Sequence, residues 1–182
     1  MRRALRKPLT WMIVGMVAVV AGAGLYWFAP WRLLTSTTVT EVVPVVTVPS
    51  SAPATAAPGS VAPSPSPVNV LLAAGSFVTH EHETKGEAQL VRRADGSVQV
   101  VLLGLRTSDG PDLRVWLTDQ RVTEDWDVFD DGRHVELGKL KGNRGDQVYA
   151  VPAGVDLAGL RSVTIWCKRF SVSFGAAELV AA

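Results

Sequence analysis

Hydrophobic and polar positions fall into three successive patterns along the chain. From Thr10 to Trp31 the run "TWMIVGMVAVVAGAGLYWFAPW" carries no charge and is apolar on every side. About 20 such residues at ~1.5 Å rise cross the ~30 Å hydrocarbon layer of a bilayer, so the run predicts one transmembrane helix over 9–31. Residues 32–74 then show no period and are rich in Pro, Ser, Thr and Ala. From residue 75 onward, short runs alternate apolar and polar positions with period two, the pattern of half-buried β-strands.

The strand pattern is clearest in "GEAQLVRRADGSVQVVLLGL", where Asp95-Gly96 predicts a tight hairpin turn between two alternating runs. In "DLRVWLTD", Leu113, Val115 and Leu117 share one face, and Arg114, Trp116 and Thr118 the other. "DGPD" before it predicts a turn. "DQVYAVP", "SVTIWCK" and "SVSFGAAELV" continue in the same style, and only "DLAGLR" suggests a single helical turn. The expected fold class is therefore all-β. An antiparallel β-sandwich or open barrel over 75–182 follows one transmembrane helix and a Pro-rich linker.

Charge orients the helix. Arg2, Arg3, Arg6 and Lys7 precede the apolar run and only Arg32 follows closely, which keeps residues 1–8 cytoplasmic and sends the rest across. Trp11 stands at one end and Tyr26, Trp27 and Trp31 at the other, where amphipathic rings sit at headgroup level. A cleaved signal peptide is the rival, since Ala21-Gly22-Ala23 offers small residues at suitable spacing. Cleavage there would leave "GLYWFAPW" as a greasy new N-terminus, which argues for an uncleaved single-pass anchor. The body after the linker is slightly acidic, so nucleic acid is not an expected partner.

Seven of the 11 prolines lie within residues 35–70, beside a single charge, Glu41. Such a composition buries too little to fold and is expected to act as a spacer. Its span would be about 35 Å as coil and about 110 Å as extended polyproline helix, enough to lift a domain clear of lipid. The membrane, a cell-wall component and a separate redox protein are the partners this layout suggests.

One residue stands out chemically. Cys167 in "SVTIWCKRF" is the only cysteine, in a domain expected outside the reducing cytoplasm. Alternation puts it with Val163 and Ile165 on the apolar side of its strand, the position of a small buried hydrophobe. The apolar series then changes parity to Phe170, Val172 and Phe174, so the ladder must break at Lys168-Arg169 and Cys167 lies at a strand corner. There, nearby cations would favour the reactive thiolate. Packing and reactivity both remain open.

"GSF" at 75–77, "HETKG" at 82–86, "GPDLRVWL" at 110–117, "GDQVYAVP" at 145–152 and "SVTIWCKRFSVSFGAAEL" at 162–179 together resemble the DM-thirteen, or electron-transfer DM, domain. The resemblance covers 75–182 and neither the anchor nor the linker. It implies a β-strand domain with a cysteine proposed to take part in redox chemistry. In this chain that residue is Cys167, and His82 matches the histidine of the early motif. Family members often accompany DOMON domains and transmembrane cytochromes. Here the domain stands alone, so the expected electron partner is a separate chain.

Other constellations are weaker. His80 and His82 would project from one face of a strand, and with Cys167 they suggest a copper or zinc site, His82 and Cys167 being the candidate ligands. Two solvated histidines in a polar run are the plainer alternative. The acids at Glu124, Asp125, Asp127, Asp130, Asp131 and Glu136 do not follow the twelve-residue calcium loop and read as a solvated loop. Trp116 and Trp166 oppose the apolar phase of their strands, either as a ligand platform or as rings covered by the 119–135 loop. No Ser/His/acid set falls in a nucleophile motif and no standard cofactor motif is present, so a complete catalytic constellation is missing. The alternative to electron transfer is a non-catalytic binding module at the cell surface.

Overall fold

The computed structural model describes residues 8–47 and 68–182. The basic residues at 2–7 and most of the prolines of the expected linker lie outside the described residues.

Helix α1 (Pro8–Phe28) begins on a proline, whose missing N–H costs nothing in a first turn. No residue within it is buried, and its length and composition suit a membrane span. It stops at Ala29, which takes a left-handed conformation (φ 44°) because Pro30 disfavours right-handed helix in the residue before it. A short 3-10 turn, Pro30–Leu34, follows.

The strands are β1 (Thr38–Thr40), β2 (Val70–Thr79), β3 (Lys85–Arg92), β4 (Val98–Arg106), β5 (Leu113–Thr118), β6 (His134–Lys139), β7 (Arg144–Ala150), β8 (Ser162–Cys167), β9 (Val172–Glu178) and β10 (Val180–Ala181). Nine lie in the order β1-β7-β4-β3-β2-β9-β8-β5-β6, and β10 pairs with β2 off this path. All pairings are antiparallel except β1 with β7. β6 closes one end of the order while β7 is next to the other, yet only residues 140–143 join them. Such a short connection forces the sheet to curl until its ends meet. The result is a mostly β half-barrel, as the strand pattern predicts.

Alternation decides what fills the curl. Leu90, Val100, Leu102, Leu105, Leu113, Val115, Leu117, Val163, Ile165, Cys167 and Phe174 form one continuous aliphatic core. On the outer face of β5, β8 and β9, Trp116, Trp166 and Ala176 are covered by Phe129 from the 119–135 loop. The rings are therefore not an open platform: Trp116 is 4% exposed and Trp166 1%.

Several local expectations change. The turn between β3 and β4 spans Arg93–Gly96, with Gly96 alone at positive φ (85°) and its N–H donating to Arg93 O (2.9 Å). This is a longer, glycine-closed hairpin, not a two-residue Asp-Gly turn. The parity change after Cys167 comes from a hairpin turn at 168–171, closed by Phe170 N–H to Cys167 O (3.2 Å), with Ser171 at φ 51°. The acidic loop contains a 3-10 turn, Val128–Asp130, that buries Phe129.

The largest difference concerns 32–74. β2 begins at Val70, ahead of the predicted boundary at 75, and the residues after α1 dock on the domain as an arm. Thr37 N–H donates to Asn143 Oδ1 (2.7 Å), and β1 pairs with Arg144–Asp146. Gly145 (φ 95°) permits this, because a Cβ there would collide with Val39 O. Glu41 receives Lys141 Nζ on both oxygens (2.8 Å) and Val148 N–H (2.6 Å), contacts that hold its carboxyl below the usual range. Thr47 N–H then bonds Asn69 O (2.9 Å). Thr47 thus lies directly beside Asn69 and Val70 at the start of β2. The distance from α1 to the domain is set by the docked arm, residues 29–47.

Candidate functional site

The end of α1 meets the turn that follows Cys167. Phe28 stacks on Phe170 (5.7 Å between centroids, 22°), and Arg169 lies over the Trp27 ring (5.3 Å) while Nη1 donates to Trp27 O (2.6 Å). On the other side Arg32 Nη1 donates to Gly110 O (3.2 Å) and lies 3.7 Å from Asp109 Oδ1, which the DGPD turn presents. Thr35 Oγ1 donates to Asp109 Oδ2 (2.6 Å).

Between these contacts lies a cleft of about 460 Å³. Its walls are mainly apolar: Phe28, Ala29 and Pro30 from the arm, Pro111 from the turn, and Phe170, Val172 and Phe174 from the hairpin. Arg32, Asp109, Glu81 and His82 supply its polar groups.

His80 and His82 do not share a site, because residues 80–82 form a bend and not a strand. His80 turns to the outer face, 5.5 Å from Phe129, with Nδ1 2.9 Å from Ser173 Oγ and Nε2 3.0 Å from Thr123 O. A carbonyl only accepts, so Nε2 carries a proton, and a neutral ring then accepts from Ser173 at Nδ1. His82 turns the other way and packs on Phe174 (4.0 Å) at the cleft. Burial pushes both imidazoles below their ordinary value, partly opposed by the Thr123 carbonyl at His80 and by Glu81 at His82. Thr84 fixes the bend: its hydroxyl lies 3.0 Å from both His82 O and Phe174 O and 2.8 Å from Thr107 Oγ1. Gly175 opposite leaves room for it.

Cys167 ends β8, paired with Leu113 and Val172, and its side chain is 0% exposed. Burial pushes the thiol up, while the N–H groups of Phe170, Arg169 and Asp112 pull the other way. It is a free, buried thiol at the strand corner, on the core side. The basic side chains of Lys168 and Arg169 are committed elsewhere, to Glu136 and Trp27 O. Among the described residues, no group of three or more His, Cys, Asp or Glu is placed to hold a metal ion. His82 lines the cleft, whereas Cys167 is part of the buried core. Residues 28–30, 32, 109–111 and 170 complete the cleft, and no binding motif in the sequence assigns them to it. The DGPD turn and the lone cation after the apolar run are the only signals that point to them.

A family model described as "Electron transfer DM13" matches residues 76–179, more than half of the chain. No curated protein and no solved structure matches.

Proposed function

Because the chain belongs to the electron-transfer DM13 family, we propose that it is a single-pass membrane protein that holds an electron-transfer domain against the outer face of the bilayer. The family match carries the redox half of this reading. The basic residues before α1 support an outward-facing domain. The arm supports a domain seated close to the anchor, since Phe28, Ala29 and Arg32 are built into its surface. The same contacts argue that residues 25–34 belong to the mature protein.

In this reading the sulfur acts from a gated position. At rest it is a protonated core atom. Of the backbone N–H groups that favour negative charge on it, that of Asp112 lies outside the 168–171 hairpin and stays beside the sulfur when the hairpin opens. Ser171 is a non-glycine residue at positive φ in that turn, a conformation that L-residues adopt at some cost. Complete burial favours a second reading, in which the sulfur only packs and the domain is a non-catalytic binding module.

Thiol mass-tagging of the full-length protein in native membranes separates the two. A gated sulfur is tagged slowly but completely without denaturant. With oxidised glutathione its thiolate attacks one sulfur, forming a protein–glutathione disulfide and releasing one reduced glutathione. A thiol that stays untouched until the domain unfolds would reduce Cys167 to a packing atom. Carbonate extraction and the mass of the mature chain test the anchor independently.

A further inference from the structure

We propose that the cleft between the end of α1 and the β domain binds a lipid-soluble aromatic ring carrying carbonyl or hydroxyl groups, the chemistry of a quinone or quinol head on an apolar tail. The inference rests on reading α1 as a membrane anchor, and concerns binding alone.

Four observations converge on it. The volume, about 460 Å³, falls within the range of ligand pockets. The walls are rings as much as aliphatic surface: the Phe28–Phe170 stack bounds one side and Phe174, under His82, the other. Flat aromatic ligands gain most from such surroundings, through offset stacking. A polar group is also in place. Both His80 nitrogens are engaged, whereas among the described residues no hydrogen bond engages the His82 ring nitrogens. Burial keeps that imidazole neutral near pH 7, and a neutral imidazole offers one donor and one acceptor. A carbonyl needs the first and a hydroxyl accepts either. The fourth observation is the route. One wall of the cleft is Phe28, the last residue of α1, with Ala29 and Pro30 directly after it, so on the anchor reading it opens where the apolar helix leaves the hydrocarbon layer. A ring enters from the bilayer while its tail stays in lipid. A bare acyl chain would fill the apolar volume but leave His82 without a partner.

The experiment uses the full-length protein in phosphatidylcholine nanodiscs and a photoreactive azidobenzoquinone with a ten-carbon tail. Peptide mapping is expected to find label on residues 28–34, 80–82 and 168–174, displaced by decyl-benzoquinone and not by decanoate. His82→Phe keeps a ring over Phe174 but removes both nitrogens, and is expected to weaken displacement about tenfold, the effect of a good buried hydrogen bond. Phe170→Ala, at a residue 38% exposed and tolerant of change, is expected to weaken it about fivefold. Label spread along α1 without the 80–82 and 168–174 peptides overturns the proposal. So does equal displacement by decanoate, which makes the cleft an acyl-chain site, or an unchanged affinity in His82→Phe with native melting behaviour. Displaceable label in a protein whose Cys167 never reacts leaves this inference standing and removes the gated sulfur. Mature chains lacking α1 would remove the anchor reading, and the nanodisc result on the full chain would still report on the cleft.

Discussion

Cys167 and the junction cleft are separated by one short turn, yet they are opposite environments. The sulfur belongs to the packed interior of the fold, where β8 pairs on both sides and neighbouring apolar residues are fully buried. The cleft is assembled from four distant stretches, around residues 28–32, 81–82, 109–111 and 170–174, and it stays open. A residue that looks unusual in composition is thus chemically quiet at rest, while the accessible surface comes from ordinary residues brought together. Rarity marks a candidate; only placement gives it access.

Phe174 joins the two environments, and removing it is the hardest test of their separation. Its ring is 2% exposed, belongs to the core that contains Cys167, and supports His82 on the cleft. Phe174→Ala is expected to cost about 3–5 kcal/mol in a urea melt, as for other buried aromatic truncations. It should also free Cys167 for tagging. A variant that lost this stability while Cys167 stayed protected would mean that the cleft wall and the thiol are less coupled than their shared core suggests.

A smaller and sharper test lies at the sulfur. Cys167→Ser places a hydroxyl among Leu113, Val163 and Ile165, and is expected to cost about 1–3 kcal/mol, more than Cys167→Ala. The ordering decides which influence rules the site. If serine were tolerated as well as cysteine, the three surrounding N–H groups would outweigh the apolar packing. The strand corner would then be a polar pocket ready for chemistry.

The same contrast explains what was legible in the sequence. Period-two alternation in "DLRVWLTD" and "SVTIWCK" reports which side faces the core. The β architecture, the inward Cys167 and the outward Trp116 and Trp166 follow from it, whereas the cover that Phe129 lays over the two rings does not. Alternation says nothing where the backbone leaves the strand. His80 and His82 look like a same-face pair, but Thr84 bends the chain there and sends the rings to opposite sides of the sheet. Composition misleads over 35–47 for a related reason. Thr37, Thr38 and Glu41 bind through backbone amides and one ion pair, not through apolar burial. A polar stretch can dock wherever a sheet edge offers unpaired groups, and no hydrophobic period announces it. The cleft was the least legible element, because its walls meet only after the arm has docked.

The mildest perturbation, pH, separates the cleft from the sulfur without any substitution. Burial lowers the folded-state values of His80 and His82 below the ordinary 6.5, so the native protein binds fewer protons than the unfolded chain as pH falls. Their neutral forms contribute stability that is fully present above pH 6.5 and is lost as pH drops from there through the lowered values. Cys167 is raised above its ordinary 9.0 and stays protonated throughout this window. Melting temperature is therefore expected to fall modestly between pH 7.5 and 5.5, by less than either substitution above produces, because both rings are only half-buried and water screens part of the effect. His82→Phe should flatten part of the slope, and His80→Gln the remainder. A quinone-type occupant that buries His82 further should steepen the His82 share alone. If the slope survived in the double variant, the titrating groups would lie elsewhere, and the picture of a neutral imidazole waiting at the cleft would have to be given up.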